Sequence, residues 1–307
     1  MTREEINKDK QNEIFKAENK EKTKKIIEKF VKTTIFIIII GVAFFSYTTY
    51  VSTTKISIRE YRITNKKIPN EFNGVKILQF SDLHYGTTMF DENLKSIKKI
   101  INERKPDLIL YTGDLIDKDY KMTTKDTENL TKTLRTLNAT IGKYTILGDE
   151  DTDKVSTIYN QADFIILKNE YDLIYKDNNN PILLIGLSSL LNNQQDIESG
   201  YSYFNQESHN SNIYTITMIH EPDSTNDIIN SYNTDLLLAG HSHNGNIRIP
   251  FLKYSPFKKN GAKKYDQDYY KIRNTKLFIS SGLGTNSSSG IRLFCRPTMN
   301  LFRLSNK

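Results

Sequence analysis

Cysteine is almost absent from this sequence, which contains a single one, Cys295, among 307 residues. One cysteine cannot form an internal disulfide, and it cannot supply the several thiolates of a cysteine-rich zinc site. Any metal ion in this protein must therefore be held by His, Asp, Glu or Asn side chains.

A basic stripe is also missing, although the formal net charge is +7 and the pI is about 9.1. The lysines are scattered and mixed with Asp and Glu, without the interleaved aromatic residues of a single-strand-binding surface. A generic Lys-, Asn- and Ile-rich composition explains most of the charge, and of the two anionic partners we favour a membrane surface. We predict no specific nucleic-acid partner, and nothing in the sequence indicates an oligomeric state.

Charged residues are lacking between Lys32 and Lys55, where a run centred on residues 35–45 is almost entirely apolar. At 1.5 Å per residue, a helix over this run nearly spans a hydrocarbon core of about 30 Å. The preceding residues 1–32 are rich in Lys and Glu, which is typical of a solvated helix or a disordered tail.

A buried soluble helix and a cleaved signal peptide are the alternatives to a membrane anchor. An all-round apolar run that follows several lysines has little reason to lie inside a globule, and no small-residue cleavage site follows Ala43. The excess of lysine before the run places the N-terminus in the cytoplasm. We therefore predict a charged cytoplasmic tail at residues 1–32, a single transmembrane helix at residues 33–52, and an extracytoplasmic domain at residues 53–307 of a cell-membrane protein.

Apolar strands alternate with helical patterns from Lys55 onward, which is typical of an α/β fold. Helical spacing covers residues 93–104 and 121–138, and we find no internal repeat. The predicted strands lie at residues 56–63, 75–80, 108–111, 144–147, 164–167, 182–185, 214–219 and 236–239, with further strands between 276 and 304.

Potential metal ligands follow five of these strands. Four of the five histidines in the chain are among them. A single Asp after a strand is more often a turn former, and a lone His is usually a satisfied polar group, but the joint pattern indicates a metal site beyond the strand ends. Seven ligands also exceed what one ion requires. These residues are Asp82, His84, Asp114, Asp149, His220, His241 and His243.

The order and context of these motifs resemble the calcineurin-like metallophosphoesterases, in particular the membrane-anchored or exported bacterial phosphodiesterases. The similarity runs from about Lys55 to Leu304. The family pattern is D-x-H, G-D-x-x-D, G-N-H-D or G-N-H-E, a lone H, and G-H-x-H. It appears here as Asp82-Leu83-His84, Gly113-Asp114-Leu115-Ile116-Asp117, Gly148-Asp149-Glu150-Asp151, His220 and Gly240-His241-Ser242-His243.

This resemblance implies a four-layer α/β/β/α sandwich, preceded here by one N-terminal transmembrane helix. It also implies two divalent metal ions, of Mn, Fe or Zn, whose bridging hydroxide attacks a phosphoester. By the family pattern one metal takes Asp82, His84 and His243, the other takes His220 and His241, and Asp114 bridges them.

The third motif departs from the family pattern at two positions. Asp149 stands where the family has a neutral Asn ligand, so an oxygen donor is kept and a negative charge is added. Glu150 stands where the family has a His that stabilises the transition state or protonates the leaving oxygen, and Asp151 loses that usual partner. If Glu150 and Asp151 take part in catalysis, Glu150 needs a raised pKa to act as a general acid.

Two functions therefore remain open. The first is a metal-dependent phosphoester hydrolase, most consistent with a phosphodiesterase, and the second is a catalytically weakened metal-binding protein that serves as a membrane binding or regulatory module. A phospholipid, a lipid-linked cell-wall intermediate and an extracellular nucleotide are all compatible substrates. Arg248 and Arg292 are candidates for substrate contact, although structural roles are the more common ones for such arginines.

Overall fold

The computed structural model describes residues 2–177, 180–206, 209–249, 251, 255, 258–287 and 290–307, apart from the side chains at positions 5 and 9. The chain divides into two compact units, Met1–Tyr47 and Thr48–Lys307.

A single helix, α1 (Arg3–Ser46), makes up most of the first unit. Its 44 residues extend roughly 66 Å at 1.5 Å per residue. The charged segment before the apolar run is thus helical. One window of 18 residues has a mean hydropathy of 2.0, so the helix can cross a membrane by length and composition. A signal sequence near an N-terminus has the same character.

The second unit begins inside the range expected for the membrane helix. A π-helical turn (Tyr47–Val51) and the short helix α2 (Ser52–Thr54) follow α1. Thr48, Ser52 and Thr53 are buried, and the Thr48 carbonyl accepts a hydrogen bond of 3.1 Å from the backbone N–H of Arg292. Residues 48–54 therefore belong to the folded unit.

Among the described residues, twelve strands form the framework of this unit. They are β1 (Ser57–Thr64), β2 (Lys76–Phe80), β3 (Leu108–Tyr111), β4 (Gly142–Thr145), β5 (Ile165–Ile166), β6 (Glu170–Ile174), β7 (Ile182–Gly186), β8 (Thr215–Met218), β9 (Leu236–Ala239), β10 (Tyr269–Ile272), β11 (Thr275–Ile279) and β12 (Thr298–Ser305).

The strands form two six-stranded sheets, in the orders β1-β12-β2-β3-β4-β5 and β10-β11-β9-β8-β7-β6. In the first sheet β2 to β5 are parallel, while β12 runs parallel to β1 and antiparallel to β2. In the second sheet β11, β9, β8 and β7 are parallel, and antiparallel β10 and β6 form its edges. The carboxyl ends of a parallel block therefore lie along one edge of each sheet.

Five helices cover the outer faces of the two sheets. They are α3 (Asp91–Arg104), α4 (Thr124–Arg135), α5 (Asp153–Gln161), α6 (Ile197–Gly200) and α7 (Thr225–Ser231).

Three apolar clusters define four layers. Alternate residues point to opposite faces of a strand, so Leu78 packs toward α3, α4 and α5, while Ile77 packs between the two sheets. In the second sheet Leu238 faces the first sheet, and Leu237 packs toward α7 and Tyr201. Both faces of both sheets are covered, which explains why the central strands are apolar throughout. The expected α/β/β/α sandwich is confirmed.

The sequence located most central strands within two residues. Leu108–Tyr111 and Leu236–Ala239 match β3 and β9 as predicted, whereas β4 begins and ends two residues before the predicted range. The edge strands β6 and β10 were not predicted, because half-exposed edge positions carry polar residues and lack a long apolar run.

Lys143 in β4 joins two helix ends. Its Nζ donates hydrogen bonds to the carbonyls of Leu134 and Arg135 at the end of α4, at 3.3 and 3.2 Å, and to the carbonyl of Ala162 after α5, at 2.6 Å. Helix C-termini leave carbonyls without intrahelical partners and carry a partial negative charge. Burial lowers the pKa of Lys143, but the three carbonyls solvate its ammonium group.

We predict that Lys143→Met lowers the free energy of unfolding by about 2–3 kcal/mol, because buried carbonyls lose a charged donor. Urea denaturation of the full-length chain in detergent, followed by near-ultraviolet circular dichroism, measures the change. Lys99→Met, at an exposed position of α3, is the matched control and should alter stability by less than about 0.5 kcal/mol. Equal effects of the two substitutions would contradict this role of Lys143.

Candidate metal centre

Seven candidate ligands meet between the carboxyl ends of the two parallel blocks. They follow β2, β3 and β4 in the first sheet and β8 and β9 in the second. Their ligand atoms form two groups, each with all atoms within 4.8 Å of one another. The groups are Asp82, His84 and His243, and Asp114, Asp149, His220 and His241.

Five of these residues have left-handed backbone conformations. Left-handed φ angles are unfavourable for residues with a Cβ, and each costs of order 1–3 kcal/mol when the surrounding structure enforces it. The sharp turns direct successive side chains from one strand end into the same cavity. The residues are Asp82 (φ 49°), His84 (φ 42°), Asp114 (φ 62°), His241 (φ 62°) and His243 (φ 47°).

Gly240 provides the space that these turns need at the end of β9. A Cβ at this position would lie 2.8 Å from Oδ2 of Asp82 and 2.9 Å from the Ser81 side chain. The backbone N–H of His241 donates to Asp82 at 3.0 Å across the same gap. A glycine therefore allows the two sheets to approach closely enough to share a site.

His220 has a defined tautomer. Its Nδ1 lies 2.6 Å from the Thr112 carbonyl, which can only accept, so Nδ1 carries the proton. The buried Nε2 lies 3.1 Å from Oδ2 of Asp114 and 3.1 Å from Oδ1 of Asp149. Three groups that can each offer an electron pair thus face one another, and either a proton on Nε2 or a metal cation must lie between them.

His241 repeats this arrangement with its nitrogens exchanged. Nε2 donates to the Asn260 carbonyl at 2.6 Å, and Nδ1 faces Oδ1 of Asp149 at 3.0 Å. In the other group, Nε2 of His84 and Nε2 of His243 lie 3.1 Å apart, and Nε2 of His243 is 3.3 Å from Oδ1 of Asp82.

Divalent cations fit these contacts, because a cation between the donors turns their repulsion into coordination. Imidazole and carboxylate ligands suit Zn, Fe and Mn. Oδ2 of Asp114 lies 3.1 Å from Nε2 of His220 and 3.7 Å from Nε2 of His84. Asp114 therefore reaches the ligands of both groups, as a bridging carboxylate must.

The pKa shifts show how strongly these groups interact. Burial opposes ionisation of Asp82, but the surrounding histidines, His243 first, hold its pKa well below the usual range. Burial likewise opposes the charged form of His220, and the carboxylates of Asp114 and Asp149 raise its pKa. For His243, burial and the nearby charge of Lys259 lower the pKa, which favours the neutral ring that a metal ligand requires.

Asp151 binds backbone groups on both sides of the site. Oδ2 accepts from the N–H groups of Asp114 and Gly148, each at 2.9 Å, and Oδ1 accepts from the N–H of Leu115 at 2.9 Å. Burial, together with the Asp114 carboxylate, raises the pKa of Asp151. Asp151 thus joins the loop after β3 to the loop after β4.

Glu150 points to a histidine. Its Oε2 lies 3.3 Å from Nδ1 of His84 and accepts from the backbone N–H of Lys118 at 3.2 Å. The backbone N–H of Glu150 donates to Oδ1 of Asp114 at 3.0 Å. A carboxylate beside the outer nitrogen of a ligand histidine fixes the ring orientation and raises its basicity.

A pocket of about 620 Å³ opens onto the centre. Asp114, Asp149, Glu150 and His241 line it, together with lysines that sequence reasoning did not identify. No strand end or family motif marks these lysines, so only the folded chain shows their position. They are Lys118, Lys258 and Lys259.

The two candidate arginines have structural contacts. Nη2 of Arg292 donates to the carbonyls of Gly282 at 3.2 Å and Gly284 at 2.6 Å, and this side chain is fully buried. Nε of Arg248 donates to Asn244 at 2.7 Å, and its Nη2 lies 3.8 Å from Oδ2 of Asp266. Neither lines the metal pocket.

Known proteins share this organisation. Residues 75–245 match the calcineurin-like phosphoesterase family. The chain is 30% identical over 268 residues to the uncharacterized metallophosphoesterase YkuE of Bacillus subtilis, covering 85% of this chain and 90% of that protein. It is 25% identical over 233 residues to the phosphodiesterase YaeI of Escherichia coli, covering 75% and 82%. It is 24% identical over 295 residues to the UDP-2,3-diacylglucosamine pyrophosphatase LpxG of Chlamydia muridarum, covering 77% and 86%.

The family match extends over more than half of the chain and includes all seven strand-end ligands, from Asp82 to His243. The members of this family use a centre of two divalent metal ions, and the relatives include named phosphodiesterases and pyrophosphatases. The chain is therefore a member of the calcineurin-like phosphoesterase family, a hydrolase that acts on phosphoester bonds.

Proposed function

We propose that this protein is a membrane-tethered phosphodiesterase whose two divalent metal ions are held by the seven strand-end ligands. The observation that carries the proposal is the set of buried imidazole nitrogens that face carboxylate oxygens at about 3 Å, as for His220 with Asp114 and Asp149. A divalent cation among these atoms would satisfy all of them at once.

The family chemistry needs no nucleophilic side chain. Two bound divalent ions neutralise phosphoryl oxygens and supply hydroxide from water near neutral pH. The residues of this chain hold and orient the centre: Thr112 and Asn260 fix the tautomers of His220 and His241, and Glu150 orients His84. Asp151 keeps the loop of Asp114 in register with the loop of Gly148.

We propose a phosphodiester or pyrophosphate substrate with a lipid or nucleotide component. YaeI is named a phosphodiesterase and LpxG a pyrophosphatase of a diacylated sugar nucleotide. A second groove of about 750 Å³ shares Lys118 and Glu150 with the metal pocket and is lined by apolar parts of Tyr120, Met122 and Ile158. It offers space for the non-phosphate portion of a substrate.

We also propose that the apolar C-terminal part of α1, from residue 33 to Ser46, anchors the enzyme as a single-pass helix, with residues 1–32 in the cytoplasm and the folded unit from Thr48 outside it. The absence of charge from residues 33–51 and the lysines that precede them support this orientation.

We predict that Asp114→Asn abolishes metal binding but does not destabilise the metal-free protein. Asn can donate to Nε2 of His220, tolerates a left-handed φ, and removes one of several mutually repelling charges. Hydrolysis of bis-p-nitrophenyl phosphate with Mn²⁺ should fall by more than roughly 100-fold. The metal-free melting temperature should stay the same or rise, while the increase that Mn²⁺ produces in the wild type disappears. Retained hydrolysis would overturn the two-metal proposal.

We predict that Glu150→Gln lowers metal affinity about 10- to 100-fold, because His84 loses the carboxylate beside its Nδ1. Isothermal titration with Mn²⁺ measures this change, and Glu128→Gln, on the exposed side of α4, should leave it unchanged. A wild type that binds metal without turnover, together with a Glu150→His variant that hydrolyses the diester, would instead favour the catalytically weakened membrane module.

We predict that Lys307→Cys in the full-length chain reacts with a membrane-impermeant maleimide on intact cells, whereas Lys20→Cys reacts only after permeabilisation. The native Cys295 provides a low background, because it is 2% exposed and its Sγ contacts the His243 carbonyl. The reverse labelling pattern would contradict the proposed orientation, and labelling of both positions in a soluble fraction would contradict the anchor.

A further inference from the structure

We infer that Lys259 is a substrate-binding residue of this centre and that its ammonium group binds the phosphoryl oxygens of the phosphoester. This role rests on the proposed two-metal function and adds a residue that lies outside the five motifs.

Lys259 lines the metal pocket, as do Asn260, Asp149 and Glu150. Its side chain is half-buried, and its charge interacts with residues of both ligand groups, His243 and Asp82 in one and Asp114 and Asp149 in the other. It lowers the pKa of His243. Burial lowers the pKa of Lys259 itself, and the carboxylates of the centre, Asp82 first, only partly offset this shift.

The segment that carries Lys259 is attached to the site at several points. The Asn260 carbonyl accepts from Nε2 of His241 at 2.6 Å, so the residue after Lys259 is bound to a candidate ligand. The Lys259 carbonyl accepts from the N–H of Ala262 at 3.1 Å, and the Gly261 carbonyl accepts from the N–H of Asp223 at 2.9 Å.

Asp223 holds the far side of the same segment. Its carboxylate accepts three backbone N–H groups, from Lys263 at 2.7 Å, Lys264 at 2.9 Å and Tyr265 at 3.1 Å. Because His241 and Asp223 both bind this segment, the backbone that carries Lys259 is held at the pocket before substrate arrives, which lowers the entropic cost of binding.

The charge balance of the metal centre explains why substrate binding needs a positively charged side chain. Four carboxylates interact with Lys259, namely those of Asp82, Asp114, Glu150 and Asp149. Their four negative charges equal the four positive charges of two divalent ions. An anionic phosphoester would then meet a centre with no net positive charge, and a bound hydroxide would make the centre negative. A fixed ammonium group in the pocket wall restores the attraction.

The other two lysines of the pocket are less suited to this role. Nζ of Lys258 donates to the Lys263 carbonyl at 2.9 Å, which directs it along its own loop. Lys118 is exposed, so water screens its charge more strongly. Among the described lysines that line the pocket, Lys118 and Lys258 are exposed, whereas Lys259 is partly withdrawn from solvent.

The test compares Lys259→Gln, Lys259→Arg and the wild type as full-length chains in detergent, each loaded with Mn²⁺. Isothermal titration first measures Mn²⁺ affinity and stoichiometry, and then the affinity for inorganic phosphate. Hydrolysis of bis-p-nitrophenyl phosphate gives kcat and KM. The matched control is Lys263→Gln, an exposed lysine of the same segment.

We expect Lys259→Gln to bind Mn²⁺ with unchanged stoichiometry but to weaken phosphate binding by about 10- to 100-fold, the range for one charged hydrogen bond. The ratio kcat/KM should fall at least as much, Lys259→Arg should recover most of the phosphate affinity, and Lys263→Gln should match the wild type.

Phosphate affinity and kcat/KM within twofold of the wild type in Lys259→Gln would overturn the inference. So would tighter Mn²⁺ binding with unchanged phosphate binding, since Lys259 would then serve only to offset the carboxylates. Failure of the wild type to bind Mn²⁺ would instead overturn the proposed function, and the first titration separates the two outcomes.

Discussion

Mutual repulsion among buried carboxylates is the constraint on which this structure depends. Asp82, Asp114, Asp149, Glu150 and Asp151 lie within one region, and each is balanced by a different set of neighbours. Histidines hold Asp82 and Asp149, whereas three backbone N–H groups hold Asp151. Cations complete this balance, and the affinity of the centre for metal is therefore also a contribution to the stability of the fold.

The two-sheet architecture is what allows these groups to converge. Neither parallel block contains the whole ligand set, because the first sheet supplies the carboxylates and His84 while the second supplies the other histidines. Gln79 connects the blocks beneath the site: its Nε2 donates to the Ala239 carbonyl at 2.8 Å, and its Oε1 accepts from Asn300 at 2.9 Å. A buried amide thus fixes the spacing of the sheets next to the centre.

The sequence alone was sufficient to predict structural features that follow a repeating or alternating pattern of residues. Apolar runs located β3 and β9, and polar residues after such runs located the seven positions that the structure brings together. Edge strands such as β6 escaped detection because their faces are half exposed. The direction of Glu150 toward His84, and the position of Lys259 over the pocket, depend on contacts between residues far apart in sequence, which no local pattern encodes.

The left-handed ligand positions also bear on how the active site can change during evolution. At Asp82, His84, Asp114, His241 and His243 the backbone itself tolerates few side chains, so a substitution there is disfavoured before its effect on chemistry is considered. Asp149 and Glu150 are not among the described residues with positive φ, so they have no such backbone restriction. In this chain the loop after β4 is consequently a place where one ligand can be exchanged for another without a backbone penalty, and it is there that its motif departs from the family pattern.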